Sequence, residues 1–390
     1  MSSERVIRIV MVAGEVSGDF LGAGLIAALK KKLKKVEFWG IGGPQMTKEG
    51  LRSLVPMERL SVMGLTDVLR RYPELYGIHK KLLQECVANP PDVFIGVDYQ
   101  HFNLSVAEKL KPTGIKTIQY VSPQVWAWRP KRVLRIKKAV DLMLTLFPFE
   151  ELFYNKHQVP VAFVGHPLAD VIPLKNDIQT KKSALGYKAD DTVVAVLPGS
   201  RLGELRHIGG LCWQVMYKMS FCRPKLRFVV PVPNEQIKEA FERQRGQEMQ
   251  HIEVQVLVGQ AREALAAADV ALVKSGTGTL EAMLLKCPMV VAYKYGIINH
   301  IIFSPQIKSP FYSQPNLLAN QALVLEFLQY DACPEKIAEA LLALLDNPAR
   351  REYLQQRFEA IHADLRQNTN DKASEAVLEL LSKFTEPAVL

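Results

Sequence analysis

The stretch Lys274-Ser275-Gly276-Thr277-Gly278-Thr279-Leu280-Glu281 holds the residue types and spacing best suited to chemistry. Ala268-Asp269-Val270-Ala271-Leu272-Val273 before it is a short apolar run that predicts a buried strand. Leu280 to Leu285 after it predicts the start of a helix. A turn of small residues between strand and helix presents free backbone N–H groups at a helix N-terminus, a ready site for phosphate. The glycine spacing resembles a dinucleotide fingerprint, but Glu281 stands where the third glycine belongs. It also lies far too early for the ribose-reading acid expected about 20 residues on. The dehydrogenase reading therefore fails on its own motif. The residues fit a diphosphate held by the hydroxyls and amides of Ser275, Gly276, Thr277 and Thr279, with Glu281 accepting from ribose hydroxyls. The plainer alternative is a tight strand-to-helix turn with a surface glutamate.

Other strand ends carry polar residues of the same kind. Gly14-Glu15-Val16-Ser17-Gly18-Asp19 follows the Val/Ile-rich run Ile7 to Ala13, and Asp98 ends the run Asp92 to Val97. Open α/β sheets place ligands at such strand ends, and a carboxylate there needs a partner or a role. Val121-Ser122-Pro123-Gln124 follows a strand expected over 115–120, and Pro198-Gly199-Ser200-Arg201 follows one over 192–197. Gly165-His166-Pro167 and the polar stretch 175–182 mark a hinge. His166 reads as a ligand contact or as a satisfied hinge histidine. The pattern is two successive βα arrays of parallel type, closed by helices over the last ~55 residues.

The 390 residues suit two domains. Five scattered cysteines without paired spacing argue against a disulfide framework or zinc site and fit a reducing compartment. No run of about 20 apolar residues is present, so a membrane span and a signal peptide are not expected. The net charge of +9 favours an anionic partner, whether phosphorylated substrate, membrane surface or nucleic acid. Nucleic acid ranks low, because the basic run Lys131, Arg132, Arg135, Lys137, Lys138, expected as one helix, lacks an RNA-module signature. Over 62–83, Leu65, Val68, Leu69, Tyr72, Leu75 and Tyr76 fall at helical spacing, interrupted by Pro73 and rimmed by basic residues. That stripe reads either as core or as a face lying in a membrane interface.

Taken in order, Gly14 to Asp19, Gly96-Val97-Asp98, Tyr120 to Pro123 with Trp126-Ala127-Trp128-Arg129, Gly165-His166, Leu197 to Arg201, Ser275-Gly276-Thr277 with Leu280-Glu281, and Pro315-Asn316-Leu317-Leu318-Ala319 form a specific set. Over residues 7–383 the chain closely resembles lipid-A-disaccharide synthase, an inverting glycosyltransferase of the GT-B class. Tyr99-Gln100-His101 and the segment 297–312 depart from the family pattern. The resemblance implies an α/β fold of two Rossmann-like domains with parallel sheets facing across a cleft and C-terminal helices crossing between them. It divides the chain into an acceptor and membrane-facing domain (1–170), a UDP-sugar domain (171–368) and a returning helix (369–390).

The implied reaction transfers the sugar of UDP-2,3-diacylglucosamine to the 6-hydroxyl of 2,3-diacylglucosamine 1-phosphate (lipid X), giving the β(1→6) disaccharide 1-phosphate and UDP. It implies a cytoplasmic enzyme bound peripherally to the inner membrane, with Val68, Leu69, Leu75 and Tyr76 in lipid contact, and admits a homodimer. Gly199, Ser200 and Arg201 join the Ser275–Thr277 turn as donors to the leaving diphosphate. Asn316 orients the diphosphate or the acceptor, and Gly14, Ser17, Ser122 and Gln124 form acceptor-side loops. Asp98 and Glu15 are the candidate bases. With no Asp-x-Asp in the chain, metal independence is expected, with no cofactor. The alternatives are another transferase or epimerase of the UDP-GlcNAc-using GT-B type, and a non-catalytic basic membrane-binding protein.

Overall fold

The computed structural model describes residues 5–60, 65–128, 130–294 and 309–382, with 65–70 and Trp128 described through their backbone alone. The side chains of Val68 and Leu69, Arg129, and most of the divergent segment 297–312 therefore lie outside the described residues.

The chain forms two compact units, Met1–Asp170 with Leu365–Leu390, and Val171–Asp364. In the first, β1 (Ile7–Ala13), β2 (Val36–Ile41), β3 (Arg52–Ser53), β4 (Val93–Val97), β5 (Lys116–Tyr120), β6 (Leu142–Thr145) and β7 (Val161–Phe163) make one sheet in the order β3-β2-β1-β4-β5-β6-β7. Every pairing in it is parallel. Strands with helices on both faces must be apolar on both faces, and β4 is buried at every position. That is why these strands read as continuous Val/Ile-rich runs rather than alternating ones.

The second unit repeats the design with β8 (Val193–Leu197), β9 (Arg227–Val232), β10 (Val254–Val258), β11 (Val270–Lys274), β12 (Met289–Tyr293) and β13 (Glu326–Leu328), in the order β10-β9-β8-β11-β12-β13. In each sheet the strand order reverses once, between β1 and β4 and between β8 and β11. Connections leave in opposite directions at that point and open a crevice at the strands' C-terminal ends. The loops led by Glu15 and Asp98 follow the first pair of strands, and those of Gly199 to Arg201 and Ser275 to Thr277 follow the second.

The helix Thr369–Ser382 belongs to the first unit, where Ala373 and Val377 join a core with Ile9, Leu25 and Ile26. Asp170 fixes its start, accepting from the amides of Asn368 (3.0 Å) and Thr369 (2.7 Å). Charge-assisted caps of this kind satisfy orphan amides at a helix N-terminus.

Several local expectations change. The helix Leu65–Ala88 runs through the exposed Pro73 rather than breaking there, at the cost of one intrahelical hydrogen bond. The basic run divides into a 3-10 turn, Pro130–Arg132, and a helix, Val133–Ala139. The two-residue β3 and three-residue β13 are too short to give a periodic signal. No helix among the described residues is long and apolar enough to cross a membrane.

Candidate active site

Asp98 follows β4 with φ +53°, and Tyr99 follows it with φ +21°. Non-glycine residues hold such conformations only where their surroundings over-determine them. Here the Asp98 carbonyl accepts from Gln119 Nε2 (2.9 Å) and Asn103 Nδ2 (3.3 Å), and its amide donates to Tyr120 O (2.8 Å). The bent backbone presents the half-buried carboxylate sideways, where Ser17 Oγ donates to Oδ2 (2.8 Å) and Gln100 Nε2 to Oδ1 (3.2 Å).

Asp98 and the exposed Glu15 line one cavity of about 640 Å³, with Tyr72, Leu75, Tyr76, His79, Tyr99, Gln100, His101 and Phe102 around them. Tyr99 is fixed at both ends. Its hydroxyl donates to Leu60 O (2.7 Å), and its ring packs so closely on Gly14 that a Cβ there would fall 2.5 Å from Cγ. Gly14 thus supports the cavity wall by having no side chain. Burial, followed by the neighbouring Glu15 charge, raises the Tyr99 pKa. Burial lowers His79, with Lys109 acting in the same direction, and lowers His101 together with Arg132 and Arg135. Both imidazoles are held toward the neutral form, as donors and acceptors without charge.

Two of the expected acceptor-loop residues part company. Gln124 is exposed, whereas Ser122 is buried, hydrogen-bonded to Tyr154 Oη (2.9 Å) and Pro123 O (3.0 Å). Its hydroxyl is directed into the unit rather than toward a ligand, because the nearby Glu150 and Tyr154 leave a buried polar pair to satisfy. Glu150 accepts from Phe147 N (3.2 Å) and Trp126 Nε1 (3.4 Å), and burial pushes it up to about 8 from its ordinary 4.5. A carboxyl with a raised folded-state pKa binds its proton more tightly when folded. Its stabilising contribution is complete below about 4.5 and is lost as pH rises through about 8. Unfolding free energy should therefore decline across that window, and Glu150→Gln should flatten the decline; equal slopes in denaturant titrations of the two proteins would contradict it. His166 lies in the first unit, just before its boundary at Asp170. It stacks on Phe147 (5.7 Å), its Nδ1 accepts from Leu168 N (3.2 Å), and burial lowers it to about 4. Those contacts satisfy the imidazole within the chain.

At the second reversal point, Gly276 (φ +149°) caps the helix Thr277–Leu284, and Gly276 and Thr277 are exposed. Ser275 Oγ instead donates to Tyr312 O (3.0 Å), and the buried Thr279 Oγ1 donates to Gly276 O (2.8 Å) and accepts from Gln314 N (3.2 Å). Their hydroxyls shape the turn, and the exposed turn itself is left for a ligand. Ser200 and Arg201 are exposed beside Gly199 (φ +106°). Glu204 Oε2 accepts from Ser200 N (3.0 Å), and Oε1 accepts from Lys274 Nζ (2.8 Å). Burial pushes Glu204 up, but Lys274, the Ser200 amide and Arg201 outweigh it and hold the carboxyl below its usual range.

Glu281 is ion-paired with Arg262 (3.0 Å), a partner absent from the sequence reading, so Oε1 is already engaged. Asn316 departs further from expectation. It is 2 % exposed, and its amide is used within the chain: Nδ2 donates to Val324 O (2.9 Å) and Glu326 Oε1 (2.8 Å), while Oδ1 accepts from Val324 N (2.9 Å). Glu326 in turn accepts from Tyr312 N and from Ser313 N and Oγ. Asn316 is therefore a positioning residue for the segment that touches Ser275.

Comparison with known proteins places this geometry. A family model described as Lipid-A-disaccharide synthetase matches residues 9–380. The chain belongs to the lipid-A-disaccharide synthetase family. It is 54 % identical over 381 residues to Lipid-A-disaccharide synthase 2 of Legionella pneumophila, covering 98 % of this chain and 99 % of that one. It is 48 % identical over 377 residues to Lipid-A-disaccharide synthase of Pseudomonas aeruginosa, covering 97 % and 99 %. Among solved structures, it resembles UDP-GlcNAc 2-epimerase from Neisseria meningitidis bound to UDP-GlcNAc (TM-score 0.61, 13 % identity, 97 % and 100 % coverage). It also resembles the calicheamicin glycosyltransferase CalG4 (TM-score 0.57, 14 % identity, 98 % and 100 % coverage). These distant likenesses carry the fold alone, and the fold is that of GT-B proteins.

Within this lipid-A-disaccharide synthetase family member, Tyr72, Tyr99, Gln100, His79 and His101 at the first site and Lys274, Glu204 and Glu326 at the second were missed as site residues from sequence. Tyr72 and His79 fall within the 62–83 stripe, and the departure of 99–101 from the family pattern was the signal for Tyr99, Gln100 and His101. Lys274 heads the strand-to-helix stretch 274–281, but Glu204 and Glu326 lie too far from it along the chain for any motif to join them.

Proposed function

We propose that this chain condenses UDP-2,3-diacylglucosamine with 2,3-diacylglucosamine 1-phosphate, forming the β(1→6) lipid A disaccharide 1-phosphate and releasing UDP. The observation carrying this reading is a carboxylate, Asp98, gripped by Ser17 and Gln100 in a cavity walled by Tyr72, Leu75, Tyr76 and Phe102. A polar floor with apolar walls suits an acceptor that joins a sugar hydroxyl to acyl chains. A soluble sugar acceptor, as in the alternative UDP-GlcNAc-using transferase or epimerase, needs no such walls.

Asp98 takes the proton of the attacking 6-hydroxyl as the anomeric bond to UDP breaks. Glu15, on the same cavity, orients the acceptor or is the second candidate base. In the second unit, the Gly199–Arg201 turn, exposed at Ser200 and Arg201, and the exposed Gly276–Thr277 turn hold the diphosphate through backbone amides and the Arg201 guanidinium. Glu281 shares its remaining acceptor capacity with ribose. Fixed donors of this kind stabilise the leaving charge without a divalent ion. The deciding experiment is incubation with both diacylated substrates, following UDP release and disaccharide. Absence of product overturns the reading, and product formation should persist in excess EDTA; loss restored by magnesium would overturn metal independence.

The chain binds the cytoplasmic surface of the inner membrane peripherally. Supporting this, Tyr72 and Tyr76 beside the cavity are 63 % and 60 % exposed, and Val16 and Phe20 present further apolar surface after Glu15. Leu75 also packs against the core, so its share of a lipid contact is smaller than its place in the stripe suggested. The exposed cations of 131–138 supply attraction to anionic lipid. Replacing Tyr72 and Tyr76 with serine should lower binding to anionic vesicles several-fold with an unchanged melting temperature. Undiminished binding would remove these residues from the interface.

A further inference from the structure

β8 and β11 are neighbours, with Leu197 in register with Val273, so the turns that follow them rise side by side from the same sheet end. Between the turns lie two side chains with no assigned role. Lys274, the last residue of β11, is 15 % exposed, and Glu204, in the first turn of the helix Leu202–Cys222, is 24 % exposed. Their 2.8 Å contact joins the turns, because the same carboxylate accepts from Ser200 N.

The glycines show how closely this pair underlies the turn surface. A Cβ at Gly199 would fall 2.8 Å from Glu204 Oε2. A Cβ at Gly276 would meet Lys274 Nζ at 3.8 Å and, leaving aside its chain neighbours, no other heavy atom of the described residues within 4 Å. The ammonium therefore borders the open side of the Gly276 turn. It sits 5.2 Å from the centroid of the Tyr293 ring, which together with Glu204 fixes its direction. An ammonium has three N–H bonds, and a single carboxylate oxygen leaves capacity for another acceptor.

We propose that Lys274 is a diphosphate-binding residue, held by Glu204 as its positioning partner and aimed at the phosphates lying over the Gly199 and Gly276 turns. This rests on the reading of the second unit as the UDP site. Glu204 draws the ammonium into place and, through Ser200 N, sets the facing turn at the same time. A compact, strongly hydrated cation suits point-charge recognition of phosphate, whereas Arg201 offers a planar fork. Lys274 also neutralises Glu204, whose charge would otherwise repel the diphosphate.

The test is calorimetric titration of the full chain with uridine, UMP and UDP. Lys274→Gln should weaken UDP about ten- to hundredfold, the usual range for a lost charge-assisted bond, while uridine changes less than about twofold. The doubly substituted K274Q/E204Q protein should bind UDP better than K274Q alone, since the unpaired carboxylate is gone. Unchanged UDP affinity in K274Q, or equal losses for uridine and UDP, overturns the proposal in favour of a plain structural ion pair. If K274Q fails to fold, the double variant, which leaves no buried charge unpaired, carries the test: its UDP-to-uridine affinity ratio must fall about tenfold, and an unchanged ratio overturns the proposal. Failure of the wild-type chain to bind UDP would instead overturn the nucleotide reading itself.

Discussion

Replacing Asp98 with asparagine should lower turnover by roughly 10²–10⁴, the worth of a positioned general base, and leave UDP affinity within about twofold. The variant keeps the shape of the side chain, and the amide oxygen still accepts from Ser17 or Gln100. The strained backbone at φ +53° is held by contacts to the main chain from Gln119 and Asn103, which the substitution does not touch. Asparagine also tolerates the left-handed region as well as aspartate does. The fold should therefore persist and the melting temperature stay unchanged. What disappears is the acceptor for the proton of the incoming hydroxyl. Near-wild-type turnover would remove Asp98 as the base and pass the role to Glu15 on the same cavity. A large loss of UDP affinity would move Asp98 from catalysis to binding.

Asn316→Ala should act by a different route. Three bonds are lost at once: Val324 N and Val324 O lose a partner in a buried setting, while the half-buried Glu326 carboxylate keeps Tyr312 N and Ser313 as donors. At roughly 1–3 kcal/mol for each buried group left unpaired, a total of about 2 kcal/mol or more is expected. At about 2–4 °C per kcal/mol for a domain of this size, the melting temperature should fall by about 4 °C or more. Turnover should fall with it, because Glu326 fixes Tyr312 and Ser313, and Tyr312 O receives Ser275 Oγ. Thermal melts beside rate measurements separate this from direct ligand contact. Lost turnover with an unshifted melting temperature would restore Asn316 to the ligand.

Much was legible in the one-dimensional chain. Parallel strands covered on both faces must be apolar throughout, so β1, β4, β8 and β11 announce themselves as Val/Ile runs. Because ligands collect at the C-terminal ends of such strands, Glu15, Asp98, Arg201 and the Ser275–Thr277 turn could be picked out before any fold was known. Adjacency in sequence to a strand end is a local property, and local properties survive in a sequence.

The tertiary structure decided which of those side chains are available. Sequence gives no direction for a side chain after a turn, so Ser122, Thr279 and Asn316 read as ligand contacts although their polar atoms are bonded within the chain. Nor does it show partners far away along the chain: Arg262 on Glu281, Lys274 on Glu204, and Asp170 on the helix beginning at Thr369. The residue types and spacing thus determined the fold class and the strand ends where chemistry belongs. Long-range pairing of buried polar groups, which must be satisfied wherever the fold brings them together, determined which residues face a ligand and which hold those residues in place.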